Sequence, residues 1–367
     1  MVILMLEFEL DEEQKMLVDA LGRFAESRMR KVYRDAEEEG AIPQDVVQAG
    51  WEFGLIPTAL PEEYGGFGEY SAITNVLAIE ELAYGDLAIA LNILAPGLSA
   101  IPLMLAGTEE QQTAYLPKYC DQAPPSITAA LAEPKVQFNP RKLSTTAILE
   151  GDSYILDGSK CLVPLADSSE VFLIYANDGD TTQAFIVPKE TEGLEVGERE
   201  QLMGIRALPT FRLTFKGCRI PVKNRLGGEE GIDFDLILNH GRVALGAAAV
   251  GLAKAGYDYA REYAKTRVQF DEPIAHRQSI AFLLADMAIE VDAARLLVWE
   301  TAWKLDQGED ATREATLMKS YVDDVVLQIA DRAVQTLGGY GYVREYPVEL
   351  WLRNARGFAS FDGLAIA

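Results

Sequence analysis

From Asp11 to Tyr119 apolar residues return every three or four positions, and Met16, Leu17, Ala20, Leu21 and Phe24 fall on one helix face. Breaks at Pro43, at Pro57 and through Pro61-Glu-Glu-Tyr-Gly-Gly66 divide this block, and helices resume over Ile73–Tyr84 and after Asn92. Between about Pro124 and Gly228 the pattern shortens. Thr145–Leu149, Ser153–Leu156, Val171–Tyr175, Ala184–Val187 and Phe211–Phe215 are separated by Gly, Asp and Asn turns, as antiparallel strands and hairpins are. From about Phe234 three long amphipathic stretches follow, Asn239–Thr266, Ser279–Leu305 and Ala311–Leu337. Their short polar joints and broad apolar faces predict a bundle, with faces left to bury against other subunits. The result is an α+β chain, mainly α: a helical domain over 1–122, an antiparallel β domain over 123–230 and a helical bundle over 231–367. No internal repeat or low-complexity tract interrupts it. A scaffold would satisfy this pattern as well as an enzyme.

At 367 residues and 49% hydrophobic content, the chain exceeds one average domain and can build a large core. A formal charge of −24 argues against a nucleic-acid partner, which needs a basic face to displace counterions, and disfavours anionic membranes. A phosphate-bearing ligand can still be held by a local basic patch or a helix N-terminus. Cys120, Cys161 and Cys218 are scattered without metal spacing, which points to a reducing compartment. With only His240 and His276 there is no histidine-rich metal site, so no metal is expected. Met1–Leu6 is apolar but short, lacks a basic lead and runs into Glu7, so it reads as neither signal nor transit peptide. No apolar run is expected to span a bilayer. These features together predict a soluble, cytoplasmic protein.

Chemistry enters through motifs in co-linear order. They are Pro61-Glu-Glu-Tyr-Gly-Gly-Phe-Gly68, Glu80-Glu-Leu-Ala83, Gly107-Thr-Glu-Glu-Gln111 and Tyr115-Leu-Pro-Lys118, then Met203-Gly-Ile-Arg206, Cys218-Arg-Ile-Pro221 and Leu226-Gly227. Arg267-Val-Gln-Phe270, with Pro273-Ile274 and Gln278, is followed by Gln335-Thr-Leu-Gly-Gly-Tyr-Gly341, Glu345-Tyr-Pro-Val348 and Arg353-Asn-Ala-Arg356. Each piece alone is weak, but over nearly the whole chain the set resembles the acyl-CoA dehydrogenase family. The resemblance implies an N-terminal helical domain, a middle β domain, a C-terminal four-helix bundle and assembly as a tetramer, with itself or with a homologous subunit. It also implies FAD, an acyl-CoA substrate and an electron-transferring flavoprotein as electron acceptor.

Enzymes of that family remove two hydrogens from adjacent carbons of an acyl thioester. A carboxylate takes the α-proton and the β-hydrogen leaves as hydride to the flavin, while hydrogen bonds to the thioester oxygen stabilise the developing enolate. The family's Tyr-Glu-Gly base tripeptide aligns with Phe361-Asp-Gly363, so the resemblance puts Asp362 at the base position. The shorter side chain retreats by about 1.5 Å, and a misplacement of about 1 Å can cost on the order of a hundredfold in rate. Asp362 is either that base or an ordinary loop carboxylate. The alternative base position, on the first bundle helix, is held by Gly241. Arg242 matches an arginine beside the acyl cavity, and a plain interhelical salt bridge is the other reading. Arg267 matches the residue that reaches the FAD diphosphate across a subunit boundary, a task suited to a guanidinium fork. Phe270 would pack beside it, Gln278 and Gln335 would add polar contacts, and Gly338, Gly339 and Gly341 would let backbone approach the cofactor. A surface arginine and a helix-ending glycine turn are the competing reading.

The flavin-ring side departs from the family. Where it has Thr-Glu-Pro-Gly-x-Gly-Ser-Asp, this chain has Ala132-Glu-Pro-Lys-Val-Gln-Phe-Asn139; where it has Trp-Ile-Thr, this chain has Leu162-Val-Pro164. Leu364-Ala-Ile-Ala367 replaces the polar residues expected after the base's glycine, and the family's last helix is expected to be missing. Two functions fit: α,β-dehydrogenation of an acyl-CoA by this chain, or an impaired or auxiliary subunit that completes the FAD diphosphate and adenine side in trans.

Overall fold

The computed structural model describes residues 9–367, so Met1–Leu6, read above as no signal, lie outside the described residues. Helix α1 (Glu12–Phe24) begins where Asp11 and Gln14 cap each other's backbone N–H groups. It passes through a π turn at Ala25–Met29 into α2 (Arg30–Glu39), which stops at left-handed Gly40. Next come α3 (Gln44–Trp51), α4 (Leu55–Ala59), α5 (Ala72–Gly85), α6 (Leu87–Leu94), α7 (Gly97–Ala106) and α8 (Glu109–Tyr115). Pro43 precedes α3 as a break should. Pro57, expected to break a helix, instead lies in the first turn of α4, where a missing N–H costs nothing.

Seven strands follow: β1 (Ile127–Ala130), β2 (Thr146–Glu150), β3 (Ser153–Pro164), β4 (Val171–Asp178), β5 (Thr181–Pro188), β6 (Leu194–Arg199) and β7 (Thr210–Pro221). They form one sheet of order β1-β4-β2-β3-β7-β6, with β5 on β4. The expected antiparallel pairing needs one correction, because β1 runs parallel to β4 and β2 touches β4 in parallel at Thr146. The amide of Cys161 donates to the carbonyl of Ala132 at 2.9 Å, which brings the end of β3 beside the residues that follow β1.

The rear of the chain is helical: α9 (Phe234–Thr266), α10 (Gln278–Asp306), α11 (Thr312–Leu337) and the short α12 (Val348–Ala355). A small hairpin of β8 (Val268–Gln269) and β9 (Glu272–Pro273) joins α9 to α10. Helix α9 begins five residues before its expected start, since Asp233 accepts from the Leu236 amide and caps it there. By length and composition alone an 18-residue window of α9 would pass for a membrane span, which corrects the expectation that no run is long enough. That window is 83% buried inside the protein, so core packing accounts for its apolarity. Helices α5 and α9 lie nearly in backbone contact, for a Cβ on Gly251 would sit 2.2 Å from the carbonyl oxygen of Glu80. Arg295 of α10 clasps the buried Glu80 carboxylate, with Nε 2.9 Å from Oε1.

One core joins the N-terminal helices to α9–α12, a second lies between α4, α7 and the sheet, and a third fills the sheet itself. The second extends to Phe234, Ile237 and Ile366, so the start of α9 and the turn after α12 meet the sheet there.

Candidate functional site

Two regions carry the chemistry. The first is a cleft of about 770 Å³ between the end of α9, the hairpin and the turn after α11. Arg267, Gln335, Gly338 and Gly339 all line it. Arg267 caps the C-terminus of α9, and its guanidinium lies 5.0 Å from the centroid of the Tyr340 ring. It joins no ion pair with the described residues, so its charge is available to an anion. Gly338 has φ 57° and ψ −129°, a backbone state that only glycine adopts without strain. A Cβ added at Gly338 or Gly339 would meet nothing within 4 Å, so bare backbone faces open space there. Glu345 is the one carboxylate in the lining.

The other residues expected here lie elsewhere. Gly341 is buried and not in the lining; a Cβ there would meet the Val334 carbonyl at 2.4 Å, so packing alone demands glycine. Phe270 is exposed at the hairpin tip with φ 54°, and its ring stacks under Arg277 at 5.6 Å. Gln278 opens α10 on the surface, outside the lining. Tyr263, Tyr340 and Tyr346 supply an aromatic wall that single-residue reasoning did not pick out, although Tyr340 and Tyr346 stood inside the quoted motifs.

The second region surrounds Asp362. A turn at Phe358–Ser360 delivers it, held by Lys319 Nζ, which donates to the Phe358 carbonyl at 2.9 Å and pairs with Asp323 at 2.7 Å. Asp362 lines a void of about 30 Å³ together with Gly241, Phe234, Leu131 and Tyr175. Its Oδ1 is buried without a partner. Arg242 donates through Nη1 to Thr316 Oγ1 at 2.9 Å, while its buried Nε also lacks a partner. Burial lowers the Arg242 guanidinium pKa and the nearby Asp362 carboxylate opposes that shift, although the two form no ion pair.

The strands beside this corner are tied up structurally. Glu133 accepts from the amides of Ser144 and Thr145, both at 2.7 Å, and faces Lys160 Nζ at 3.2 Å. Burial drives Lys160 down to about 8 against the pull of Glu133. Burial opposes charge on Glu133 too, but Lys160 and the two amides outweigh it and hold the carboxyl below its ordinary range. Leu162 adopts φ 54°, with its amide donating to Glu200 Oε2 at 2.8 Å, and Pro164 pairs with Thr210 without an N–H to offer. Nothing on these strands presents an aromatic face or a free hydroxyl at the Leu162–Pro164 positions.

Similarity to known proteins extends over nearly the whole chain. Profiles of the N-terminal, middle and C-terminal domains of acyl-CoA dehydrogenases match residues 11–123, 128–218 and 234–365. The chain is 34% identical over 361 residues to the caffeyl-CoA reductase-Etf complex subunit CarC of Acetobacterium woodii, covering 96% of this chain and 95% of that one. It is likewise 34% identical over 365 residues to the probable acyl-CoA dehydrogenase FadE25 of Mycobacterium tuberculosis, covering 97% and 93%. The structure of butyryl-CoA dehydrogenase from Megasphaera elsdenii superposes with a TM-score of 0.88 at 30% identity, covering 98% of this chain and 96% of that one.

Proposed function

The chain belongs to the acyl-CoA dehydrogenase family of flavin oxidoreductases, and from that footing we propose that it serves the flavin-dependent α,β-dehydrogenation of an acyl-CoA thioester. The observation that carries this reading is the open cleft at Arg267, where a guanidinium with no ion pair among the described residues shares the lining with bare backbone at Gly338 and Gly339. A diphosphate suits that arrangement, since the guanidinium offers a fork of donors and the glycines admit close approach. FAD, when bound, supplies the hydride acceptor. For the α-proton, Asp362 Oδ1 is the acceptor on this chain, and Arg242 Nε is the unpaired donor nearby that suits a ligand oxygen.

A second reading is favoured by a specific contrast. The diphosphate end of the site is open, whereas the Asp362 corner leaves about 30 Å³ and the Leu162–Pro164 stretch of β3 offers no aromatic or hydroxyl contact. On that reading this chain is the auxiliary member of a mixed assembly: it grips the diphosphate of a cofactor whose ring sits on a homologous partner. Either form needs neighbouring subunits, and α10 supports this with exposed Phe282, Ile289 and Leu296 at seven-residue spacing. An electron-transferring flavoprotein is the proposed acceptor, in keeping with the Etf complex named for the Acetobacterium relative. The free state of Cys120, Cys161 and Cys218 fits the proposed cytoplasmic setting.

The deciding experiment is flavin stoichiometry from the absorbance of the purified protein, alone and co-expressed with a homologous subunit. About one flavin per chain alone, bleached by butyryl-CoA, supports a self-sufficient dehydrogenase. Flavin acquired only with the partner, and lost with Arg267→Ala, supports the auxiliary form. No flavin under any condition removes both.

A further inference from the structure

Ile366 lines two separate, small apolar voids. The void beside Asp362, of about 30 Å³, is closed by Leu98, Leu131, Ile237 and Gly241; the other, of about 20 Å³, is closed by Ile56, Ile79, Leu94 and Ile101. A water needs about 10–15 Å³ of such space, so each void has room for a water or two and neither admits an acyl group as it stands. Together they mark an apolar path from Asp362 past α7 towards α4, α5 and α6, with Ile366 lining it on both sides of the division. Ile366 Cγ2 lies 3.6 Å from where a Cβ on Gly97 would be, so it fills the path closely.

The segment carrying Ile366 is fastened at its backbone. Leu364, Ala365 and Ala367 are each 1% exposed. The Ala367 amide donates to the His240 carbonyl at 3.3 Å, and the Ala367 carbonyl accepts from the Tyr70 hydroxyl at 2.9 Å. That same oxygen lies 2.6 Å from His240 Nδ1, which suits a neutral ring with its proton on Nδ1. Tyr70 precedes α5, which lines the second void, and His240 lies on α9, which lines the first, so the segment is fastened to both sides of the path.

We propose that Leu364–Ala367 is an internal plug of an acyl channel, with Ile366 as its stopper and Tyr70 and His240 as its latch. The ligand it excludes is the straight alkyl chain of an acyl thioester. The inference rests on the reading of the Asp362 corner as the acyl site.

Calorimetric titration of the full chain with CoA, butyryl-CoA and octanoyl-CoA tests it without requiring turnover. Ile366→Gly is expected to bind octanoyl-CoA at least tenfold tighter than wild type, with butyryl-CoA and CoA changed by less than twofold. Tyr70→Phe keeps the ring but removes the hydroxyl's half of the latch. It is expected to move octanoyl-CoA affinity in the same direction and to speed deuterium uptake in peptides covering Leu364–Ala367. If both folded variants bind butyryl-CoA as wild type does yet gain nothing for octanoyl-CoA, the plug is refuted. If no CoA thioester binds any of the proteins, the acyl reading fails. The plug is then decided by n-octanol, followed by tryptophan fluorescence: binding to Ile366→Gly but not to wild type upholds it, and equal behaviour refutes it.

Discussion

Arg267 is the residue on which the cofactor reading turns, and its position explains why. It follows the last turn of α9, where helix carbonyls would draw a cation, yet it joins no described ion pair and stacks on Tyr340. A charge-assisted contact to phosphate is worth about 1.5–3 kcal/mol. Arg267→Ala is therefore expected to weaken FAD binding by roughly ten- to a hundredfold by equilibrium titration. Arg267→Lys should recover only part, because the fork geometry is lost. His240 gives a second prediction at this scale. Burial holds it at about 4, below the 6.5 of a free imidazole. The unfolded chain therefore takes up a proton that the folded one excludes, and stability falls as pH drops from 6.5 towards 4. The full effect is on the order of 3 kcal/mol. Asp86, raised to about 6 by burial, acts with opposite sign in the same window. Urea melts of wild type and His240→Asn at pH 7.5 and 4.5 separate them: the variant should gain on wild type at the lower pH, and a constant difference would refute the assignment. The place of Arg267 beside Gln335, Gly338 and Gly339 was legible because their motifs travel together. The Tyr70–His240 contact was not, for it joins residues 170 positions apart and neither sits in a motif.

At the scale of elements, the three long rear helices were legible because their apolar faces persist for many turns. The missed strands β1 and β6 lacked a signal. Four consecutive buried residues make up Ile127–Ala130, and Leu194–Arg199 has no fully buried residue. The first does not alternate as a half-buried strand does, and the second alternates only over Leu194–Gly197. Glycines of two kinds were indistinguishable in the sequence and are separated by packing. At Gly251 a Cβ would collide with the Glu80 carbonyl at 2.2 Å, so Gly251→Ala must pry α5 from α9. Overpacking of this kind costs about 1–3 kcal/mol, and a matching loss in thermal or urea unfolding is expected with the cleft unaltered. At Gly339 the added Cβ meets open space, so Gly339→Ala should leave folding within about 0.5 kcal/mol of wild type. It should still narrow the cleft and weaken FAD. If both variants lose stability equally, the distinction between packing and approach glycines fails.

For the whole molecule, the front helices, the sheet and the rear helices were recoverable from changes of period along the chain. The parallel β1–β4 pair and the depth at which α9 is buried were not, since both depend on long-range packing. Phe282, Ile289 and Leu296 stand 61%, 65% and 47% exposed along one face of α10. A seven-residue apolar repeat of this kind suits a helix partner from another subunit. Ile289→Glu is expected to shift the protein to smaller species in sedimentation velocity without lowering its helical content, whereas an unchanged sedimentation coefficient would take α10 out of the assembly interface. The central claim concerns the cleft itself, and the most direct measurement is a crystal structure grown in excess FAD. The account predicts diphosphate density against the Arg267 guanidinium and the Gly338–Gly339 backbone. Ordered FAD elsewhere with this cleft empty, or no FAD in any subunit, would contradict it.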